Sequence, residues 1–215
     1  MKDQVQSDIN EIRRLARHMM LTIEPLQSDV DFADNQLDVN RRSQFWRRTA
    51  IRCGLALVEA TLWNMKHLSE RAASLTGFQL TTDDLRTIKE EKTRVKDGTS
   101  FARHSFLPFP QNLKATFSIF AKVHGVSLST QFDSGFDALC KTYELRSRLM
   151  HPKQPFDVSV SDNDIDIAQR GAYWLNRELA QLMKQCGETG RYIKEHNRAP
   201  DTNAQDLHRR AADSP

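Results

Sequence analysis

The chain has 215 residues, of which 39% are hydrophobic and 27% charged, and its formal net charge is +3 at pH 7. A chain of this length is expected to form one substantial domain with appendages, because it is short for two independent cores. No apolar run approaches the roughly 18 residues that a membrane span needs, and the polar first ten residues do not resemble a secretory signal. We therefore expect a cytoplasmic protein that makes no membrane contact.

The three cysteines are odd in number and far apart. Cys53, Cys140 and Cys186 each occupy an apolar position of a predicted helix. This pattern favours reduced core thiols over a disulfide framework or a zinc site. We expect neither a bound metal nor a cofactor.

The N-terminal segment 1–41 is predicted to be one helix followed by a loop. Apolar residues recur there at steps of three and four, and Pro25 is expected to end the helix. Residues 27–40 are acidic and irregular, which is typical of a loop. We assign residues 42–196 to a helical bundle and residues 197–215 to a charged tail that is expected to be disordered. The apolar residues of the first helix are Ile9, Ile12, Ala16, Met19 and Ile23.

The next helix, from Ser43 to about Leu75, is the most apolar of the chain and should lie at the centre of the bundle. Its one polar strip falls within about 40° on a helical projection. The strip consists of Arg48, Arg52, Glu59 and Lys66. The cluster of arginines at the start of this helix (Arg41, Arg42, Arg47, Arg48 and Arg52) is either a solvated helix end or a contact surface for phosphates.

The middle of the chain is predicted to hold two shorter helices and a loop between them. Thr82-Asp83-Asp84 supplies a capped start for a charged helix that runs to about Val95. Residues 96–112 contain glycine, proline and scattered phenylalanines, which predict a loop. His104 lies in this loop, either near a site or simply in solvent. Pro110 then begins a helix that Gly125 is expected to end.

Residues 136–150 form an amphipathic helix, here called the motif helix, with an apolar arc of about 220°. Arg146 lies near the middle of this arc, and no acidic residue stands three or four positions away. Because an unpaired buried charge costs several kcal/mol, its partner must lie elsewhere. Glu59 is the best internal candidate, although it could instead pair with neighbours on its own helix. Arg148 is expected to pair with Glu144 on the solvated side.

His151 immediately precedes Pro152, and a residue before proline is pushed out of the α region. The motif helix should therefore end at or just before His151, which frees the imidazole from the helix surface. Arg146 and His151 are expected to converge on one small site.

The last long helix should begin at Ser161-Asp162 and end at Gly187, with apolar residues at alternating three- and four-residue steps. This regularity suits a bundle core or a dimer seam. Gly171 lacks a side chain, so another backbone or a second subunit can approach closely there.

The spacing Arg146-x4-His151 at the end of an amphipathic helix, in a chain of helices, resembles the signature of the HEPN superfamily. The resemblance covers about residues 42–186 and implies an all-α helical bundle of four to six helices that dimerises to bring two motifs into one cleft. Two positions depart from the pattern of active members. Ser147 follows the arginine where Asn, Asp or His is common, and Lys153 stands where one toxin branch has tyrosine.

The resemblance implies a metal-independent endoribonuclease that cuts single-stranded RNA, as toxins of toxin–antitoxin pairs and phage-defence effectors do, with an antitoxin or inhibitor protein as a further partner. His151 would act as general base and Arg146 would stabilise the phosphate. Ser147 and Glu59 would support them, and Arg48, Arg52 and Lys153 would contact RNA. The alternative is a non-catalytic helical module that binds RNA, a nucleotide or a protein, with Arg146 locked to Glu59.

Overall fold

Six α-helices, one β-hairpin and one 3-10 turn make up residues 2–96, 99–104 and 107–196, which the computed structural model describes. The predicted all-α bundle is confirmed. None of the helices in these ranges is long and apolar enough to cross a bilayer. The elements are α1 Lys2–Val39, α2 Gln44–Thr76, α3 Thr82–Lys89, β1 Glu91–Lys96, β2 Thr99–His104, α4 Phe109–Val123, α5 Ser134–Met150, the 3-10 turn Pro155–Val158 and α6 Asp162–His196.

Helix α2 is the central element, as its apolar sequence predicts. The Ser43 side chain caps its first turn by accepting a hydrogen bond from the Trp46 amide. Gly77 ends it in the left-handed conformation, with φ of 72°, which glycine adopts without steric cost. Helices α1, α4, α5 and α6 all pack on α2. The core that results includes Leu55, Leu113, Phe117, Leu139 and Trp174.

Helices α5 and α6 approach each other closely at a glycine. A Cβ atom on Gly171 would lie 2.7 Å from both N and Cα of Leu139, which is closer than real Cβ contacts allow. The close approach predicted at Gly171 is therefore made within one chain. It joins the motif helix firmly to the last helix.

Helix α1 does not end at Pro25, so the predicted loop over residues 27–40 is wrong. The helix continues to Val39 with Pro25 inside it. Ala33 and Leu37 are buried, and Leu37 shares a core cluster with Ile51 of α2. The Phe32 ring meets the Trp46 ring edge-on at a centroid distance of 5.8 Å. This packing offsets the one backbone hydrogen bond that a proline removes.

The segment after α3 differs most from its prediction. Helix α3 ends at Lys89 instead of near Val95, because Glu90 adopts φ of 53° and stops the helix. Residues predicted as the rest of that helix and as a loop form an antiparallel hairpin, in which Glu91 pairs with His104. His104 is thus a strand residue. The pairing depends on contacts between strands, which local helix signals do not contain.

Helix α6 also runs further than predicted, through Gly187 to His196. Leu182 is buried in the main core and Cys186 packs against that core, so the helix is fixed up to the glycine. A glycine inside a helix costs only about 1 kcal/mol, which neighbouring packing can offset. The link after α5 was predicted to be extended but contains the 3-10 turn. The tail 197–215, predicted to be disordered, lies outside the described residues.

Candidate functional site

His151 ends α5 as predicted. Its backbone is non-helical, with φ of −130° and ψ of 57°, and its amide donates a last hydrogen bond of 3.1 Å to the Ser147 carbonyl. The side chain is exposed. Within the described part of the chain, no hydrogen bond, ion pair or ring contact involves the imidazole. Both ring nitrogens are therefore available to a ligand.

Arg146 is held by Glu59. The guanidinium Nη2 lies 3.1 Å from Glu59 Oε2, so the proposed pairing of α5 with α2 is confirmed. The expectation that Arg146 is a deeply buried cation is wrong, since its side chain is 28% exposed and that of Glu59 is 39% exposed. Arg146 lies one turn from the end of α5, where the core opens to solvent. One edge of the guanidinium is bound, and its other N–H groups make no hydrogen bond among the described residues.

Two arginines of the α2 polar strip bind backbone carbonyls at and after the end of the motif helix. Arg52 donates from Nη2 to the Leu149 carbonyl at 3.2 Å, and Arg48 donates from Nη1 to the Val158 carbonyl at 3.1 Å. Cations are favoured beside the last carbonyls of a helix, where the dipole is negative. Both arginines therefore have a structural contact. Their remaining N–H groups make no other hydrogen bond among the described residues.

The segment that follows His151 is fixed by Asp157. The carboxylate accepts hydrogen bonds from the backbone amides of Lys153 at 2.7 Å and Gln154 at 2.9 Å. The hydrogen bond from the Lys153 amide lowers the pKa of Asp157, and the Gln154 amide and the charges of Arg148 and Lys153 lower it further. Together they outweigh partial burial, which by itself would raise this pKa. The Lys153 side chain is exposed beside this turn. Ser147 is half-buried, and its hydroxyl makes no hydrogen bond within the described ranges.

Arg148 has a role that the sequence did not reveal, because the predicted pair with Glu144 is not formed. Its guanidinium donates to the Phe156 carbonyl at 3.4 Å and the Ser159 carbonyl at 3.2 Å, and lies 3.9 Å from an Asp164 carboxylate oxygen. These contacts join α5 to the 3-10 turn and to the start of α6. Arg148 therefore positions the chain just after His151.

Arg47 is the other residue whose role was missed. It is 6% exposed, donates to the carbonyls of Arg41 at 2.7 Å and Val160 at 2.9 Å, and forms an ion pair with Asp162. The arginine cluster at the start of α2 therefore contains a buried structural member. In the sequence, the only sign of this role was that Arg47 lies next to Arg48 of the polar strip. Arg41 and Arg42 are exposed.

The three cysteines are free and half-buried, so the expectation of reduced thiols agrees with the structure, although none is fully buried. Across the described residues, no three His, Cys, Asp or Glu side chains come together in a way that would hold a metal ion. No protein-family model, curated protein or solved structure matches this chain. The HEPN resemblance stays a prediction that rests on the motif residues.

Proposed function

We propose that this chain is a metal-independent endoribonuclease of HEPN type that cuts single-stranded RNA. The observation that carries the proposal is the exposed His151 imidazole, which makes no hydrogen bond, ion pair or ring contact within the described chain and lies at the end of the helix that holds Arg146. A histidine is suited to general-base work near neutral pH.

In the proposed reaction, neutral His151 accepts the proton of a ribose 2′-hydroxyl. The 2′-oxygen attacks the adjacent phosphorus, the bond to the 5′-oxygen breaks, and that oxygen takes a proton from solvent. The products carry a 2′,3′-cyclic phosphate and a 5′-hydroxyl. Single-stranded RNA is favoured because an unpaired nucleotide reaches the in-line geometry more easily than one in a duplex.

Arg146 would stabilise the negative charge that develops on the phosphate oxygens, through the N–H groups that Glu59 does not bind. Glu59 would fix the orientation of the guanidinium, and the Ser147 hydroxyl would add a contact to the phosphate. Arg48, Arg52 and the exposed Lys153 would bind neighbouring phosphates. All of these residues lie on α2, on α5 or in the turn after α5.

The active form is proposed to be a homodimer. Exposed apolar residues lie on both sides of His151 in the sequence. Met150 before it is 47% exposed, and Phe156 and Val158 after it are 62% and 37% exposed. Contact between two such surfaces would bring two motifs together. Sedimentation at micromolar concentration tests this, and a strictly monomeric protein would remove the shared cleft. An antitoxin or inhibitor protein covering the same surface is the expected partner if the chain is a toxin or a phage-defence effector.

The decisive experiment is incubation of purified protein with single-stranded RNA in EDTA. We expect cleavage with the ends described above and no cleavage of DNA, which lacks the 2′-hydroxyl. His151→Ala should lower the rate by about 10² to 10⁴. The matched control is Lys141→Ala on the exposed face of α5, which should cut like the wild type. Intact RNA, or a His151→Ala variant as fast as the wild type, would contradict the proposal.

The second candidate function is a non-catalytic helical module that binds RNA, a nucleotide or a protein partner. The observation in its favour is the Arg146–Glu59 ion pair, which already gives the arginine a structural partner. Such a module would retain RNA in a filter-binding assay without cutting it. Its affinity would be the same in the wild type and in His151→Ala.

A further inference from the structure

A cavity of about 370 Å³ lies between α2, the end of α3, α4 and α5. Its size is in the range of small-molecule sites, which is roughly 300–1,000 Å³. Glu59 lines it, so the cavity reaches the carboxylate that pairs with Arg146. Its lining also includes Trp63, Lys66, Glu90, Phe109, Asn112 and Tyr143.

One part of the lining is aromatic. Phe109 and Tyr143 are stacked with their centroids 4.3 Å apart and their planes 7° from parallel. Trp63 also lines the cavity and is 48% exposed, which is unusual for a side chain with so much apolar surface. Phe109 is buried against Tyr143, so the exposed Trp63 ring is the surface that favours a flat ligand, because two π-faces stack.

The charged groups in the lining neutralise one another. Lys66 Nζ lies 2.6 Å from Glu90 Oε1, and Glu59 Oε2 lies 3.1 Å from Arg146. Each carboxylate therefore has a cation beside one oxygen, while Glu59 Oε1 and Glu90 Oε2 have no hydrogen-bond partner among the described residues. An additional cation or anion would disturb this balance, so the lining favours a neutral ligand.

The lining also has more hydrogen-bond acceptors than its own donors satisfy. The second oxygens of Glu59 and Glu90 lack a donor among the described residues, and these side chains are 39% and 28% exposed, so water solvates them. Asn112 Oδ1 also has no partner within the described chain, but this atom is buried. A ligand that brings several N–H donors would bind the two carboxylate oxygens in place of water.

Glu90 has a strained backbone. Its φ of 53° is the only positive φ of a non-glycine residue in the described ranges. Such conformations are costly and cluster at functional sites. Here the conformation ends α3 and brings the carboxylate against Lys66, whose side chain is 3% exposed.

We propose that this cavity binds the guanine base of single-stranded RNA next to the phosphate that is cut. Guanine is flat and neutral, and it presents the N1–H and two amino N–H donors on one edge, whereas uracil has a single ring N–H. Unpaired RNA bases are commonly recognised by stacking on aromatic side chains and by hydrogen bonds to their edges. The choice of RNA as the source of the base rests on the proposed ribonuclease function.

The first experiment measures binding without any cleavage. Guanosine and uridine are titrated separately into the full chain by calorimetry, and we expect guanosine to bind at least 10-fold more tightly. Trp63→Ala should weaken guanosine binding by about 10-fold, because it removes a stacking surface. The matched control is Tyr173→Ala, an exposed aromatic of α6 outside the cavity lining, which should bind guanosine like the wild type. Equal binding of the two nucleosides, no binding of either, or unchanged binding by Trp63→Ala would overturn the proposal.

The second experiment distinguishes the sources of the base and separates the two proposals. Short RNAs with one guanosine at varied positions are incubated with the protein, and the cut sites are mapped. Cuts adjacent to the guanosine support guanine recognition within RNA. If guanosine binds but no RNA is cut, the cavity is still a guanine site. The ribonuclease function is then refuted, and so is RNA as the source of the base. Cuts at every position, without preference for guanosine, would refute guanine binding in the cavity and support the ribonuclease function.

Discussion

Lys66 and Glu90 form the more deeply buried of the two ion pairs beside the cavity. The Lys66 side chain is 3% exposed and lies 2.6 Å from the Glu90 carboxylate. Arg146 and Glu59 are 28% and 39% exposed, although they come from the same region. The two pairs therefore differ in how much water can replace a lost partner, and this difference predicts different energetic consequences.

Glu90→Gln is expected to destabilise the protein much more than Glu59→Gln. The first change leaves the Lys66 ammonium buried without its carboxylate, which costs on the order of 3 kcal/mol. The second leaves Arg146 in contact with solvent, so the loss should be less than about 1 kcal/mol. Urea denaturation of the two variants gives both free energies of unfolding. Equal losses would show that the difference in exposure does not control these pairs.

Arg148→Ala should loosen the segment after His151 while leaving the core intact. The change removes donors to the carbonyls of Phe156 and Ser159 and the contact with Asp164. Faster hydrogen exchange of the Ser159 amide, which donates to Phe156, is the expected result. Because this segment holds the chain on the C-terminal side of His151, the RNA cleavage rate should fall as well. Lys141→Ala is the control, and exchange as slow as in that control would contradict the role of Arg148.

The turn after His151 is expected to depend on pH through Asp157. The Lys153 and Gln154 amides stabilise the ionised carboxylate, so its pKa in the folded state lies below the usual 3.8. The stabilisation is fully present above pH 3.8 and is lost as the pH falls from there through the folded pKa. Carboxyl chemical shifts measured by NMR give that pKa directly. A pKa at or above 3.8 would contradict the hydrogen-bonded geometry.

Gly171→Ala and Gly54→Ala should have opposite effects. A Cβ on Gly171 would meet the Leu139 backbone at 2.7 Å, so α5 and α6 must move apart at a cost of about 1–3 kcal/mol. A Cβ on Gly54 meets nothing within 4 Å, and alanine inside a helix is more stable than glycine by about 0.5–1 kcal/mol. Thermal melting of both variants tests this. A Gly171→Ala protein as stable as the wild type would mean that the helices are not so close in solution.

Much of the bundle was determined by local sequence. Ser43 and Gly77 bound α2, and Pro152 after His151 ends α5, because caps, glycine and proline act over a few residues. The polar strip of α2 and the position of Arg146 were also readable from helical periodicity, since residues three or four apart share a face. These signals placed Glu59 and Arg146 as candidates for one ion pair.

Only the tertiary structure decided the features that depend on contacts between residues far apart in the sequence. Helix α1 passes Pro25 because Ala33 and Leu37 are buried, and the hairpin forms because β1 meets β2. Arg148 binds the carbonyls of the following turn in place of Glu144, and the exposure of Arg146 depends on how far α2 covers it. Each of these outcomes is a competition between a local preference and contacts with residues far along the chain. The local preference can be predicted from the sequence pattern, whereas the contacts with distant residues are known only from the packed fold.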